Sequence, residues 1–230
     1  MPRRPAAERP TRATARLTRD AILGSAIGIA DTGGLEGLSM RGLAQELEVN
    51  PMSLYHHVAD KDALLEAMLD VVVAQIPVVE AAAGGTWADE LRTLIWAARR
   101  TMLRHPWAVD VVRQQETPTP ATLAHLDRVV GVMLRGGCSI DLCHHALHVL
   151  GSRVLGFSDD LFDDSPDART DPAELVARMH DWPSLFPNVV ALAHAASHDG
   201  GLGGCDDDRE FDFALDILLE GLERRRVSAR

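Results

Sequence analysis

Aromatic residues make up only 4% of this 230-residue chain, cysteine occurs three times and lysine once, at Lys61. Each shortage excludes something. Cys138, Cys143 and Cys205 form no C-x-x-C pair and no even framework, so a disulfide-stapled scaffold is excluded and a reducing, cytoplasmic setting is expected. No apolar run reaches the roughly 18–20 residues needed to span a bilayer. The N-terminal arginines have no apolar segment behind them, which is not the pattern of a signal peptide. Strand-type alternation and internal repeats are missing. So are a nucleophile elbow, a phosphate loop and a dinucleotide fingerprint, and with them any positive sign of an enzyme.

What remains is helix-forming. Ala, Leu, Val and Arg dominate, and the length suits one small domain and one larger one, which predicts an all-α fold. The net charge of −11 is divided unevenly. Residues 1–61 hold eight Lys/Arg against seven Asp/Glu, whereas residues 62–230 hold fifteen against twenty-seven. The acidic C-terminal part repels phosphate, so any polyanion must be met by the N-terminal part.

Residues 1–17 contain three prolines and five arginines without periodicity, and read as a disordered basic arm that either strengthens contact with phosphates or merely solubilises. A first helix is expected from Thr18 to Thr32, stopped by Gly33 and Gly34. Ser39 is placed to cap a short helix with Met40, Leu43, Ala44 and Leu47 at helical spacing. After a turn at Glu48 and Val49, Asn50 and Pro51 open a second short helix to about His57, anchored by Leu54 and Val58 and polar on its free face. Two short helices joined by a tight turn are the layout of a helix-turn-helix. Asp60 then caps a helix to about Ile76, and Pro77 with the Ala-Gly stretch behind it forms a linker.

This block resembles the N-terminal domain of the tetracycline-repressor (TetR) family of bacterial transcription factors. The resemblance covers residues 18–76 and is carried by TRDAILGSAIGIADT, GGLEGLSMRGLAQEL and VNPMSLYHHVADKDALL, above all by Leu54-Tyr55-His56-His57-Val58 with Lys61. One departure is Glu48, where the family usually has glycine; a positive φ there costs on the order of 1 kcal/mol. The resemblance implies DNA contacts from Ser39, Met40 and Arg41, and from Pro51, Met52, Ser53, Tyr55, His56, His57 and Lys61. Chemically, Arg41 can donate twice to a guanine edge or to a phosphate, Ser53 and Tyr55 can donate to either, and Met52 can touch a thymine methyl.

Residues 77–230 continue as amphipathic helices: 87–104, 106–114, 120–135, 139–157, a helical stretch over 172–198 and a last helix over 206–226. They resemble the family's C-terminal effector-binding and dimerisation domain at LRHPW, TPTPATL, LRGGCS and ALHVLGSRVLGF. That implies a largely apolar small-molecule effector, with Trp96, Met102, Leu103, Trp107, Val111, Met133, His148 and Phe157 as candidate lining residues. Pro77 and Val112 stand where the tetracycline-binding members use histidines for drug and metal, which argues against tetracycline–magnesium recognition. The resemblance also implies a homodimer built on the helix around 141–157 and on the last helix, through Leu142, Ala146, Val149, Phe211, Leu215, Leu218 and Leu222. A twofold dimer in turn implies a palindromic operator.

The expected function is thus a ligand-responsive repressor released from its operator by an effector, with no cofactor. The alternative is a metal- or thiol-responsive sensor using His144 and His148 or Cys138 and Cys143, and more remotely a metalloenzyme. His144–His148 and His194–His198 have the four-residue spacing of a one-face zinc pair, but no H-E-x-x-H signature is present and a third ligand must come from elsewhere.

Overall fold

The computed structural model describes residues 17–78, 84–115, 117–154, 182–188 and 207–228, and everything described in regular structure is helical. The basic arm, Phe157, Cys205 and the His194–His198 pair lie outside the described residues. The helices, in chain order, include α1 Arg19–Gly37, α2 Met40–Glu46, α3 Pro51–Tyr55, α4 Lys61–Ala74, α5 Trp87–Arg104, α6 Trp107–Gln114, α7 Pro120–Arg135, α8 Ile140–Val154, α9 Trp182–Leu185 and α10 Asp207–Ser228.

The first four helices start where side-chain oxygens replace missing backbone partners. Thr18 Oγ1 accepts from the Ala21 amide at 3.2 Å, Ser39 Oγ from Gly42 at 3.0 Å, Asn50 Oδ1 from Met52 at 2.9 Å and Asp60 Oδ1 from Ala63 at 2.8 Å. Helical geometry in α1 breaks at Gly34 (φ 65°, ψ −177°), and one further turn carries the chain to Gly37. Thr86 and Asp89 cap α5 reciprocally: the Thr86 amide donates to Asp89 Oδ2 at 2.9 Å and the Asp89 amide to Thr86 Oγ1 at 3.2 Å.

The described chain divides into two compact units, Met1–Ile76 with Arg100–His125, and Pro77–Arg99 with Leu126–Arg230. In the first, Ile22, Leu23 and Ala26 of α1, Leu43 of α2, Leu54 of α3 and Leu64, Met68 and Leu69 of α4 form the core. Helix α6 packs on α1 and α4 through Trp107, Ala108 and Val111. In the second, one cluster joins Leu91, Leu94 and Ile95 of α5, Val132 and Met133 of α7, Cys143, Ala146 and Leu150 of α8, and Phe211, Leu215, Leu219 and Leu222 of α10. Helices α5 and α7 each begin in one unit and end in the other.

Two helices end by the same device with different residues. At the end of α7 the Cys138 amide reaches back to Met133 O and the Gly137 amide to Leu134 O, with Gly137 at φ 88°. At the end of α2 the Val49 amide reaches Ala44 O and the Glu48 amide Gln45 O, with Glu48 at φ 55°. These bonds satisfy the last carbonyls and require a left-handed residue, which glycine adopts freely and glutamate does not. Among the described residues, Glu48 alone is a non-glycine with positive φ. Glu48→Gly is therefore expected to stabilise the fold by about 1 kcal/mol, read as a higher urea midpoint at unchanged slope. A lower midpoint would mean that the Glu48 side chain contributes more than its backbone costs.

Candidate functional site

The face built by α2 and α3 sorts its residues sharply. Leu43, Ala44, Leu54 and Val58 are buried and fix the two helices on the core of the first unit. Ser39, Arg41, Pro51, Tyr55, His56 and His57 are exposed, Met40 and Ser53 are half-buried, and Met52 keeps 65% of its surface open. An exposed methionine and tyrosine beside a buried leucine on a five-residue helix form a face with an apolar group for a thymine methyl and a hydroxyl for phosphate or base. Lys61 Nζ donates to Leu35 O at 3.3 Å, which ties its half-buried side chain to the end of α1 and leaves two of its three donors for another partner.

The candidate effector residues fall into both units. Met102, Trp107 and Val111 are buried in the first, and Leu103 is 51% exposed there. In the second, Met133 is fully buried, Trp96 is half-buried and His148 is exposed. Trp96 Nε1 donates to Asp212 Oδ1 at 3.1 Å and meets the Phe211 ring edge-on at 4.9 Å, while the Arg99 guanidinium lies 4.4 Å above the Phe211 ring. Arg92 joins this wall of α5 and α10 through Asp212 at 2.8 Å and through Asp216. No pattern in the sequence pointed to Arg92 or to the aspartates it pairs with.

On the other side of α10 an apolar groove of about 590 Å³ runs between α8 and α10. Leu142, Ala146, Val149, Leu218 and Leu222 line it, whereas Phe211 and Leu215 are turned into the core of the unit. Ile217, which is 58% exposed, and Gly221 complete its floor.

The titratable clusters are modest. The His144 and His148 rings meet edge to face with centroids 4.7 Å apart, and among the described residues no group of three or more His, Cys, Asp and Glu side chains is arranged to hold a metal ion. Cys138 and Cys143 are buried, and burial pushes both thiols above their ordinary range; for Cys138 the neighbouring Cys143 pushes in the same direction. Among the described residues no helix is long and apolar enough to cross a membrane.

The family models match both parts. Residues 22–68 fit the bacterial regulatory proteins of the tetR family, and residues 81–226 fit the tetracyclin repressor-like C-terminal domain. An HTH-type transcriptional regulator of Saccharopolyspora erythraea is 29% identical over 94% of this chain and 88% of its own. The HTH-type transcriptional repressor DrrR1 of Streptomyces coeruleorubidus is 30% identical over 90% of this chain and 77% of its own. Among solved structures, the TetR family protein ActR of Streptomyces coelicolor in complex with actinorhodin is similar at a TM-score of 0.72 and 30% identity, covering 90% of this chain and 96% of that one. The outward face of α3, its buried anchors and both matched regions lead to one assignment: the chain belongs to the TetR family and is a helix-turn-helix transcriptional repressor.

Proposed function

We propose that the protein represses transcription as a homodimer on a palindromic operator and leaves it when a small molecule binds the C-terminal unit. The observation that carries this reading is the pairing of an outward-facing α3 with an unfilled apolar groove between α8 and α10 on the same chain. A second copy seated in that groove would give a twofold molecule with two recognition helices, and such a molecule reads two inverted half-sites. ActR, solved with actinorhodin bound, supports a small-molecule effector. Trp96, Met133 and His148 are the lining residues proposed for it in the second unit, and their chemistry suits a largely apolar molecule. Converting the operator-bound population from 99:1 to 1:99 requires the effector to prefer the released form by about 5.5 kcal/mol.

Selection of bound sequences from random duplex DNA is expected to enrich a palindrome. Arg41→Ala should then weaken binding to that operator by about 1–3 kcal/mol, and an unchanged affinity would remove Arg41 from the base-reading set. Val149→Glu combined with Ile217→Glu places charges on the groove without touching the core, and should yield monomers by sedimentation; a persisting dimer would move the interface elsewhere. The thiol-sensing alternative is disfavoured by the buried, raised thiols. Iodoacetamide at mildly alkaline pH should leave Cys138 and Cys143 unmodified until the protein is unfolded, and rapid labelling of either in the native state would bring thiol sensing back.

A further inference from the structure

Two carboxylates of the DNA-reading head are engaged away from its outer face. Asp31 of α1 uses Oδ1 to accept from Trp107 Nε1 at 2.7 Å, and the same oxygen stands 2.8 Å from His105 Nδ1. Asp70 of α4 accepts from the Ala121 amide at 2.8 Å, at the second residue of α7. Both aspartates and the three residues they engage belong to the first unit, and the engaged residues all lie in the segment 100–125.

That segment is where α5 ends and α7 begins, and both helices run on into the second unit across Arg99–Arg100 and His125–Leu126. A change in the second unit therefore reaches the head along two helices, and each meets a carboxylate of the head where it arrives. The turn after α5 rests on Asp31, and the start of α7 rests on Asp70. The apolar packing of α6 on α1 and α4 tolerates sliding, because dispersion contacts have no direction. A carboxylate hydrogen bond does have direction, and it is lost beyond about 3.5 Å, so it makes the docking discrete. Trp107 sharpens this: it is 4% exposed, and its indole N–H has nowhere to turn for water if Asp31 moves away.

We infer that Asp31 and Asp70 are the positioning residues that pass a change in the effector unit to the helix-turn-helix. This rests on the reading of the chain as a ligand-released repressor. Coupling between sites is reciprocal, so an effector that weakens operator binding is itself opposed by the operator. The operator alone must then alter the second unit, and no effector is needed to measure the coupling.

The experiment is amide hydrogen exchange on the full-length protein with and without the duplex selected from random DNA. In the wild type the duplex is expected to change exchange over residues 87–99 and 126–135. In Asp31→Leu/Asp70→Leu operator binding should survive and that change should be lost. Asp70→Asn, which keeps an acceptor for the Ala121 amide, should behave as wild type. Each leucine variant is also read alone, so that unfolding of the double variant leaves the comparison intact. Persistence of the change in the leucine variants, its absence in the wild type, loss of operator binding with the carboxylates, or an Asp70→Asn protein as uncoupled as Asp70→Leu would each overturn the inference. Failure of the wild type to bind any duplex would instead overturn the repressor reading.

Discussion

Helix α3 has five residues, and a helix that short has no stability of its own in water. Its two local aids are the Asn50 cap, worth about 1 kcal/mol, and Pro51, which fixes one φ in advance. Against them stands the full burial of Leu54, worth about 1.5–3 kcal/mol, with Val58 buried beside it. Tertiary packing therefore decides whether the recognition helix exists at all. The exposed Met52 and Tyr55 can be offered to DNA because Leu54, between them in sequence, is driven into the core.

The dependence then passes inward. Leu54 is buried in the first unit, whose core α1 and α4 also build, and both of those helices pack against α6. Before residue 100 the same α5 that leads to α6 is held differently. Within the second unit its Trp87 donates to Glu223 at 3.1 Å, its Arg92 grips Asp212 and Asp216, and its Glu90 accepts from Arg135 of α7 at 2.7 Å. Trp87 also fills the space above Gly136, where any Cβ would fall 2.4 Å from the indole. Helix α5 thus has an apolar seam with polar locks in the second unit, and the turn that follows it is held by Asp31.

Much of this was legible in the sequence, and what was not has a common cause. The caps at Ser39, Asn50 and Asp60 and the buried Leu54 and Val58 are all local, set within a few residues by hydrogen-bond stereochemistry and periodicity. The pairs that organise the larger structure are not local. Asp31 meets Trp107 across 76 positions and Arg92 meets Asp212 across 120, and no spacing rule connects them. On α10, periodicity alone favours Leu218 as much as Leu219, because both lie about one turn from Leu215 and from Leu222. Packing resolves the tie: Leu219 joins the core and Leu218 only borders it.

That resolution also leaves α10 with a second apolar stripe outside the core. Phe211, Leu215, Leu219 and Leu222 form one core stripe, which is the width a single helical neighbourhood requires. Ala214, Ile217, Leu218 and Gly221 form a second stripe next to it, facing the groove with α8. A helix serving one core has charged groups there instead. Gly221 is the more telling of these, since a Cβ at that position would meet nothing nearer than Arg225 Nη1 at 3.6 Å within this chain. The chain itself does not require a bare backbone at that point. The second copy proposed for the groove would make use of one, because small residues let two helix backbones approach.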